Sequence, residues 1–582
     1  MRTNTNKKAN LIISAVLMLF ISLGWITAGN GQPVEDWVKR YNNFDKNDKA
    51  KVMKVDAEGN IYVTGYSESK AGDRDILTIK YSRNGDQLWA AYYDGGSNTQ
   101  NRDDEANALA IDDIGNVYVA GYTNSGLIGR DYCTICYNPK GDQVWVSYFS
   151  GSGSIEDSDD EATGIAYSKA GFIYVTGNSA GSTSGLDIYT IQYNVNGDQM
   201  WVRSFNGSAN ADDRAVAILT DRNENIIISG VSEGIIGGKD YVTIKYDLYG
   251  RESWQAVYNG VGGNIAANDD EPVAMTLDRD NNIYVTGSGY GSGTLRDFLT
   301  IKYNTDGLQS WVSRFENAHL KKIVTSDDEA KAIAADAFGN IFVTGKTTSS
   351  LGGSDYLTIK INEKGFTEWS RTFNSESFDK TLDGANDLAV DRIGNVYVTG
   401  SINGDGALTD CGNERGIDFG TIKYSSTGQQ LWMKQYNGTG GIGSNDDIAK
   451  AIALDRKGRI FVMGESMGDE TGLDYCLVGY SEFLPNEESK INAVNSDPML
   501  GDNYPNPFNP TTQISFNIPV SSNVKLGIYD MSGRMIELLV NKILQPGSHE
   551  YEWNASHYSS GTYFYKIESD GFVQTKKMLL IK

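Results

Sequence analysis

The sequence predicts an all-β protein: an eight-bladed β-propeller closed by an N-terminal strand and followed by a small C-terminal β-sandwich. Three observations carry this. A β-rich segment recurs eight times, a Trp closes seven of the eight units, and an unmatched Trp stands ahead of the first unit. Composition agrees, with 65 Gly, 34 Tyr and 10 Trp but only 10 Pro, the profile of many short strands joined by tight turns.

The N-terminus comes first. Arg2, Lys7 and Lys8 precede an apolar run from Leu11 to Ile26, then Thr27, Ala28 and Gly29, which is the layout of a signal peptide over residues 1–28 with cleavage near Ala28. An uncleaved membrane anchor is the rival, because the run is long for a signal, although Ser14, Ser22 and Gly24 interrupt it. No Cys follows to carry a lipid. No other stretch is long and apolar enough to span a bilayer, so no transmembrane segment is expected after cleavage and the product is expected to be secreted or displayed on the cell surface.

The repeat occupies residues 33–484. Its marker reads GNIYVTG ending at Gly65, and recurs to Gly121, Gly177, Gly230, Gly287, Gly345, Gly400 and Gly464 at intervals of 53 to 64 residues. That length suits four strands per unit. The first strand, as in Glu105 to Asp112, Glu329 to Asp336 and Ile448 to Asp455, places Ala106, Ala108 and Ala110, or Ala330, Ala332 and Ala334, or Ala449, Ala451 and Ala453, on one face if it alternates strictly. Small side chains fit an innermost strand, where neighbouring sheets converge. A turn of the Asp56 to Asn60 kind leads to the second strand and a Gly- and Ser-rich loop to the third, typified by Asp75 to Tyr81. The fourth carries Trp89, Trp145, Trp201, Trp254, Trp311, Trp369 and Trp432 in turn. The eighth unit has no such Trp, while Trp37 lies upstream of the first, so the Trp37 strand is expected on the outer edge of the eighth sheet.

Disulfides contribute little in this reading. Cys133 and Cys136 are three apart in one strand and point to opposite faces; Cys411 and Cys476 are a conceivable pair.

Through GN-[IV]-Y-V-T-G and D-x-x-T-I-K-Y, residues 34 to 484 resemble the SBBP-type β-propeller repeats of secreted bacterial proteins. The family name implies seven blades, and the count here is eight. The resemblance bears on fold and says little of activity, since propellers carry unrelated functions.

Residues 485–502 form a polar linker with Pro485 and Pro498. Six short alternating segments follow within residues 503–582, which suits a small β-sandwich. This tail closely resembles the C-terminal sorting domain of type IX secretion cargo through NYPNPFNPTT (Asn503 to Thr512), IYDMSGRMIELLV (Ile528 to Val540), SGTYFYKIE (Ser560 to Glu568) and KKMLLIK (Lys576 to Lys582). The resemblance implies that the type IX machinery is a partner and that the tail directs passage across the outer membrane. A permanent accessory domain is the alternative.

Charge narrows the function. The chain carries −24, and residues 29–500 hold 41 basic against 68 acidic side chains, about −27, so nucleic acid is excluded as a partner. Only His319, His549 and His557 exist, which removes a His-based triad or multi-His metal site from the repeat region.

Two Asp positions repeat in all eight units. Asp48, Asp104, Asp160, Asp213, Asp270, Asp328, Asp383 and Asp447 precede the innermost strand and would ring the mouth of a central channel. Such a ring suits Ca²⁺, and it equally suits carboxylates that accept hydrogen bonds from their own loops. Asp75, Asp131, Asp187, Asp240, Asp297, Asp355, Asp418 and Asp474 precede the third strand, followed in five units by Lys80, Lys245, Lys302, Lys360 and Lys423, whose stems would lie along a neighbouring blade and reach a carboxylate.

Unrepeated loops are the better place for function: Gly260 to Glu271, Glu316 to Glu329 and Ile402 to Asp418, with Asp405, Asp410 and Asp418 a weak cation site and His319, Lys321 and Lys322 a small basic patch. The leading reading is a non-catalytic exported scaffold that binds an extracellular glycan, a peptide or protein, or a surface component. A carboxylate-dependent polysaccharide-degrading enzyme and a purely structural adhesion protein are the alternatives.

Overall fold

The computed structural model describes residues 32–95, 103–124, 129–151, 159–181, 185–234, 238–260, 269–291, 295–316, 327–348, 353–375, 383–403, 416–438, 446–468, 472–482 and 499–582, the last without 502, 504, 519–521, 545–546 and 570–571. The signal segment, Cys411, Asp405, Asp410, His319, Lys321 and Lys322 lie outside the described residues. Among those described there are strands and turns and no helix, hence no helix long and apolar enough to cross a membrane.

The chain divides into two compact units, Met1–Phe483 and Leu484–Lys582. The first holds eight four-stranded antiparallel sheets. Sheet 1 is Asp48–Val55, Ile61–Glu68, Arg74–Tyr81 and Gln87–Tyr93, strands a to d, and sheets 2 to 7 repeat that order along the chain. Sheet 8 takes a to c from Asp447–Leu454, Ile460–Met467 and Leu473–Ser481, and its d strand is Val34–Tyr41, with Trp37 opposite Gly479 and Tyr41 opposite Tyr475.

Local chemistry makes the hairpins. Asp56 Oδ1 accepts the N–H groups of Glu58 and Asn60 at 3.0 and 2.8 Å, and Gly59 adopts φ = 88°, so the a–b turn closes on its own side chain. Asp112, Asp221, Asp278, Asp336 and Asp391 do the same.

Packing between sheets is cyclic. One apolar cluster joins sheets 1 and 2 through Ile76, Leu109 and Val119, another joins 2 and 3 through Tyr118, Ala162 and Val175, and the series runs on to a cluster uniting sheet 8 with sheet 1 through Phe461, Met463, Val63 and Ile79. The a strands follow the same circuit, each packed on the next and that of sheet 8 on that of sheet 1.

The strict alternation expected of strand a does not hold. A β-bulge interrupts each of the eight, between Ala106 and Ala108 in sheet 2 and between Ala449 and Ala451 in sheet 8. The extra residue turns Ala106 toward the sheet 1 interface with Leu109, while Ala108 and Ala110 face sheet 3. The alanines therefore serve two interfaces. The bulge also explains the marker glycine: a Cβ on Gly121 would collide with the carbonyl oxygen of Glu105, and Gly345 stands in the same relation to Glu329. The bulged side chains reach to the next sheet, Asn107 Nδ2 to Ala162 O at 3.0 Å, Thr163 Oγ1 to Ala215 O at 3.0 Å and Asn386 Nδ2 to Ala449 O at 2.7 Å.

The second unit has a three-stranded sheet ordered Met499–Leu500, Thr511–Ile518, Gly547–Asn554 and a four-stranded sheet ordered Met535–Leu544, Ser522–Tyr529, Gly561–Ser569, Phe572–Leu580. Both feed one core, with Ile514, Phe516 and Trp553 from the first and Leu526, Ile528, Tyr565 and Met578 from the second.

Candidate functional site

Antiparallel order places the b–c loops and the connections from d to the next a at the same end of every sheet. Both repeated Asp series lie there. All eight members of the first series are buried. Asp104 shows why: its carboxylate accepts the N–H of Gly95 at 2.6 Å from the preceding connection, and Thr123 Oγ1 at 2.5 Å and Asn124 N at 3.1 Å from the b–c loop. Asp383 takes Ser375 N and Asn403 N at 2.7 and 2.9 Å, and Asp160 takes Gly151 N at 2.9 Å and Ala180 N at 3.2 Å. Asp48, Asp213, Asp270 and Asp447 bind Asn43, Gly207, Gly260 and Gly438 N–H groups, and Asp328 binds Thr347 Oγ1. Seven of the eight thus tie incoming loop to sheet among the described residues. Burial pushes the Asp48 and Asp270 carboxyls up to about 6 against those hydrogen bonds.

The second series takes donors from strand d of its own sheet or the residue after it. Asn374 Nδ2 donates to Asp355 at 2.8 Å, Gln435 to Asp418 and Asn259 to Asp240, while Arg314 lies 3.6 Å from Asp297 and Arg40 of the exchanged strand 3.5 Å from Asp474.

Sheet 1 breaks this pattern. The residue after strand d is Asn in five sheets, at 42, 206, 259, 374 and 437, Ser150 in sheet 2 and Glu316 in sheet 5, and in sheet 1 it is Asp94. A carboxylate replaces a donor. Oxygens of Asp75, Asp94 and Asp104 all fall within 4.8 Å of one another, which makes these the residues among those described that could hold a metal ion. Burial, then Asp94, push the Asp75 carboxyl up to about 7. The signal was present in the sequence, at a position defined only once strand d is aligned across the units.

The Lys series divides. Lys245 reaches Asp221 at 3.0 Å within its own sheet, Lys360 meets Glu368 at 2.9 Å, and Lys423 meets Glu482 of sheet 8 at 2.7 Å. Lys80 and Lys302 have no such ion pair among the described residues and lie over the rings of Tyr62 and Tyr284 at 4.9 and 5.1 Å, as Lys360 and Lys423 also lie over Phe342 and Tyr397 at 5.8 and 4.8 Å. Cys133 and Cys136 are buried free thiols in different intersheet clusters, and Cys476 is also buried.

Comparison with known proteins bears on both units. Residues 89–129, 322–352 and 380–406 match the β-propeller repeat model SBBP, and residues 502–582 match the secretion system C-terminal sorting domain. None of the curated proteins matches the chain. Among solved structures it is similar to PorZ, a surface component of the type IX secretion system of Porphyromonas gingivalis, at 14% identity over 92% of this chain and 74% of that one, TM-score 0.36. It is similar to the WD40 domain of SCAP from fission yeast at 9% identity, over 77% and 98%, TM-score 0.38. It is also similar to an α-L-arabinofuranosidase of Fusarium graminearum at 8% identity, over 54% and 91%, TM-score 0.32. The chain is a β-propeller repeat protein that carries a type IX C-terminal sorting domain and is destined for secretion or the cell surface.

Proposed function

We propose that the eight sheets are the blades of one closed propeller over residues 33–484, preceded by a cleaved signal peptide at 1–28 and joined by a linker at 485–502 to a sorting β-sandwich at 503–582. The exported propeller is a non-catalytic scaffold that binds a glycan, a peptide or another surface component through its loop-bearing end, and its tail engages the type IX machinery. One observation carries this reading: the a–b turns repeat a single self-capped pattern, whereas the opposite end varies from sheet to sheet and is held down by buried Asp staples. In this reading the rim aspartates are structural first, and Ca²⁺ is the cation their carboxylates would take, at Asp75, Asp94 and Asp104. A glycan and peptide binding screen on the secreted protein, with and without Ca²⁺, tests it. Binding that survives exchange of the turn residues and is lost on exchange of the loops supports it, and silence across the screen overturns it.

A polysaccharide-degrading enzyme is the second reading. Asp94 favours it, as a carboxylate that departs from the Asn of five sheets and sits beside a protonatable Asp75. Reducing-end release from polysaccharides, abolished by Asp94→Asn, would establish that reading in place of the first.

A further inference from the structure

The loop end of sheets 8, 1 and 2 encloses an open cavity of about 500 Å³ whose charge runs against that of the unit around it. Lys49, Lys51, Arg74 and Lys450 line it, against Glu105 and Glu465, while residues 29–483 carry about −25. Two of the cations are committed. Lys51 contacts Glu105 and donates to Asn107 Oδ1 at 2.7 Å; Arg74 lies 3.3 Å from Glu105 and 4.6 Å from the Tyr66 ring centre. Lys49 and Lys450, both half-buried, have no hydrogen-bond or ion-pair partner among the described residues.

A second cavity, of about 450 Å³ across sheets 3, 4 and 5, sharpens the contrast. Arg214 and Lys239 occupy the places of Lys49 and Arg74 there, but Arg214 pairs with Asp212 at 2.9 Å and Lys239 with Glu271. That crevice neutralises itself. The one at sheets 8, 1 and 2 retains two ammonium groups against a single uncommitted carboxylate, the buried Glu465, which pairs with neither among the described residues, and an ammonium that gives up part of its hydration without gaining an anion is unfavourable.

We propose that this cavity binds a carboxylate-bearing sugar, a uronate or related sugar acid of an acidic glycan, with the carboxylate between Lys49 and Lys450; the assignment rests on the loop-end binding reading and names its ligand class. The lining favours a sugar over an acidic peptide. Its side chains are polar or charged but for Ala50 and the Tyr66 ring, which Arg74 covers, so it has hydroxyl-binding groups and no apolar pocket for a peptide anchor.

The test is calorimetric titration of the full-length protein with trigalacturonate, a neutral cellotriose and a polyglutamate peptide. Trigalacturonate binds, and more weakly as salt rises. Lys49→Ala combined with Lys450→Ala weakens it by at least about tenfold, the loss of charge-assisted hydrogen bonds, and the double Arg variant keeps it within about threefold. Lys331→Ala removes a lysine at the bulge position of sheet 6 that Lys450 holds in sheet 8, one already paired with Glu329 at 3.2 Å, and leaves binding unchanged. An unchanged affinity in a folded double Ala variant overturns the proposal, as does an equal loss with Lys331→Ala or equally tight binding of polyglutamate through the same lysines. Binding of cellotriose with trigalacturonate silent overturns the uronate site while leaving loop-end binding standing. Silence with every ligand of the wider screen removes both.

Discussion

The indole Nε1–H of Trp432 donates to Glu482 Oε1 at 2.6 Å. In six other sheets the corresponding Trp donates to a backbone carbonyl in the c–d turn of the next sheet, as Trp145 does to Val195 O at 2.9 Å and Trp311 to Glu363 O at 3.0 Å. Sheet 8 has no c–d turn because its d strand comes from the other end of the unit. A carboxylate one residue beyond strand c stands in for the missing carbonyl, and it also receives Lys423 Nζ at 2.7 Å. Glu482→Ala therefore strands an indole N–H and a buried ammonium together. We expect a loss of about 2–4 kcal/mol in urea unfolding, against less than about 1 kcal/mol for Glu58→Ala, an exposed turn residue.

The exchanged strand makes the complementary contact. Trp37 lies against Gly85 in the c–d turn of sheet 1, the relation that Trp89 has to Gly141 and Trp145 to Gly197, and its ring stacks on Phe461 at 6.0 Å. Trp37→Ala should cost about 3 kcal/mol and expose both edges of the closure, so limited proteolysis should cut near residues 32–41 first. Trp89→Ala should cost a similar amount without that localised cleavage.

Asp94→Asn places at sheet 1 the residue that five other sheets carry, one that donates to the Asp before strand c in sheets 4 and 6. Without divalent ions the variant should be more stable than the wild type by about 1 kcal/mol, since a repulsive pair becomes a hydrogen bond. Millimolar Ca²⁺ should raise the Tm of the wild type and leave the variant unmoved; differential scanning calorimetry measures both effects.

The pH dependence has a definite sign. Asp48 and Asp270 titrate near 6 when folded and near the ordinary 3.8 when unfolded, because burial disfavours the charged form. The folded state then binds more protons between those values, and stability falls as pH rises from 4.5 to 7. Glu105 and Glu329, held low by Lys51 and by Lys331, Lys346 and Arg296, act oppositely, but only as pH falls below about 4.5. Asp48→Asn should flatten the thermal midpoint profile between pH 4.5 and 7, by roughly 1–3 kcal/mol over that window.

Much of this molecule is written along the chain because each repeat must solve the same local problem. The Asp, or in sheet 3 Ser168, that caps each a–b turn, the β-branched residues of strand b and the Trp of strand d act within a few residues or one sheet, so periodicity reveals them. The displaced Trp37 even announces its partner at the far end. Three features depended on the third dimension. The bulge in strand a leaves no mark in an alternating run of alanines, since it arises in the pairing of strand a with strand b, and it reassigned Ala106 to the opposite face. Asp94 reads as one acidic residue among 75 until folding sets it against Asp75 and Asp104. Lys49 and Lys450 lie some four hundred positions apart, and cyclic packing alone decides that two charges of one sign share a cavity with no partner among the described residues.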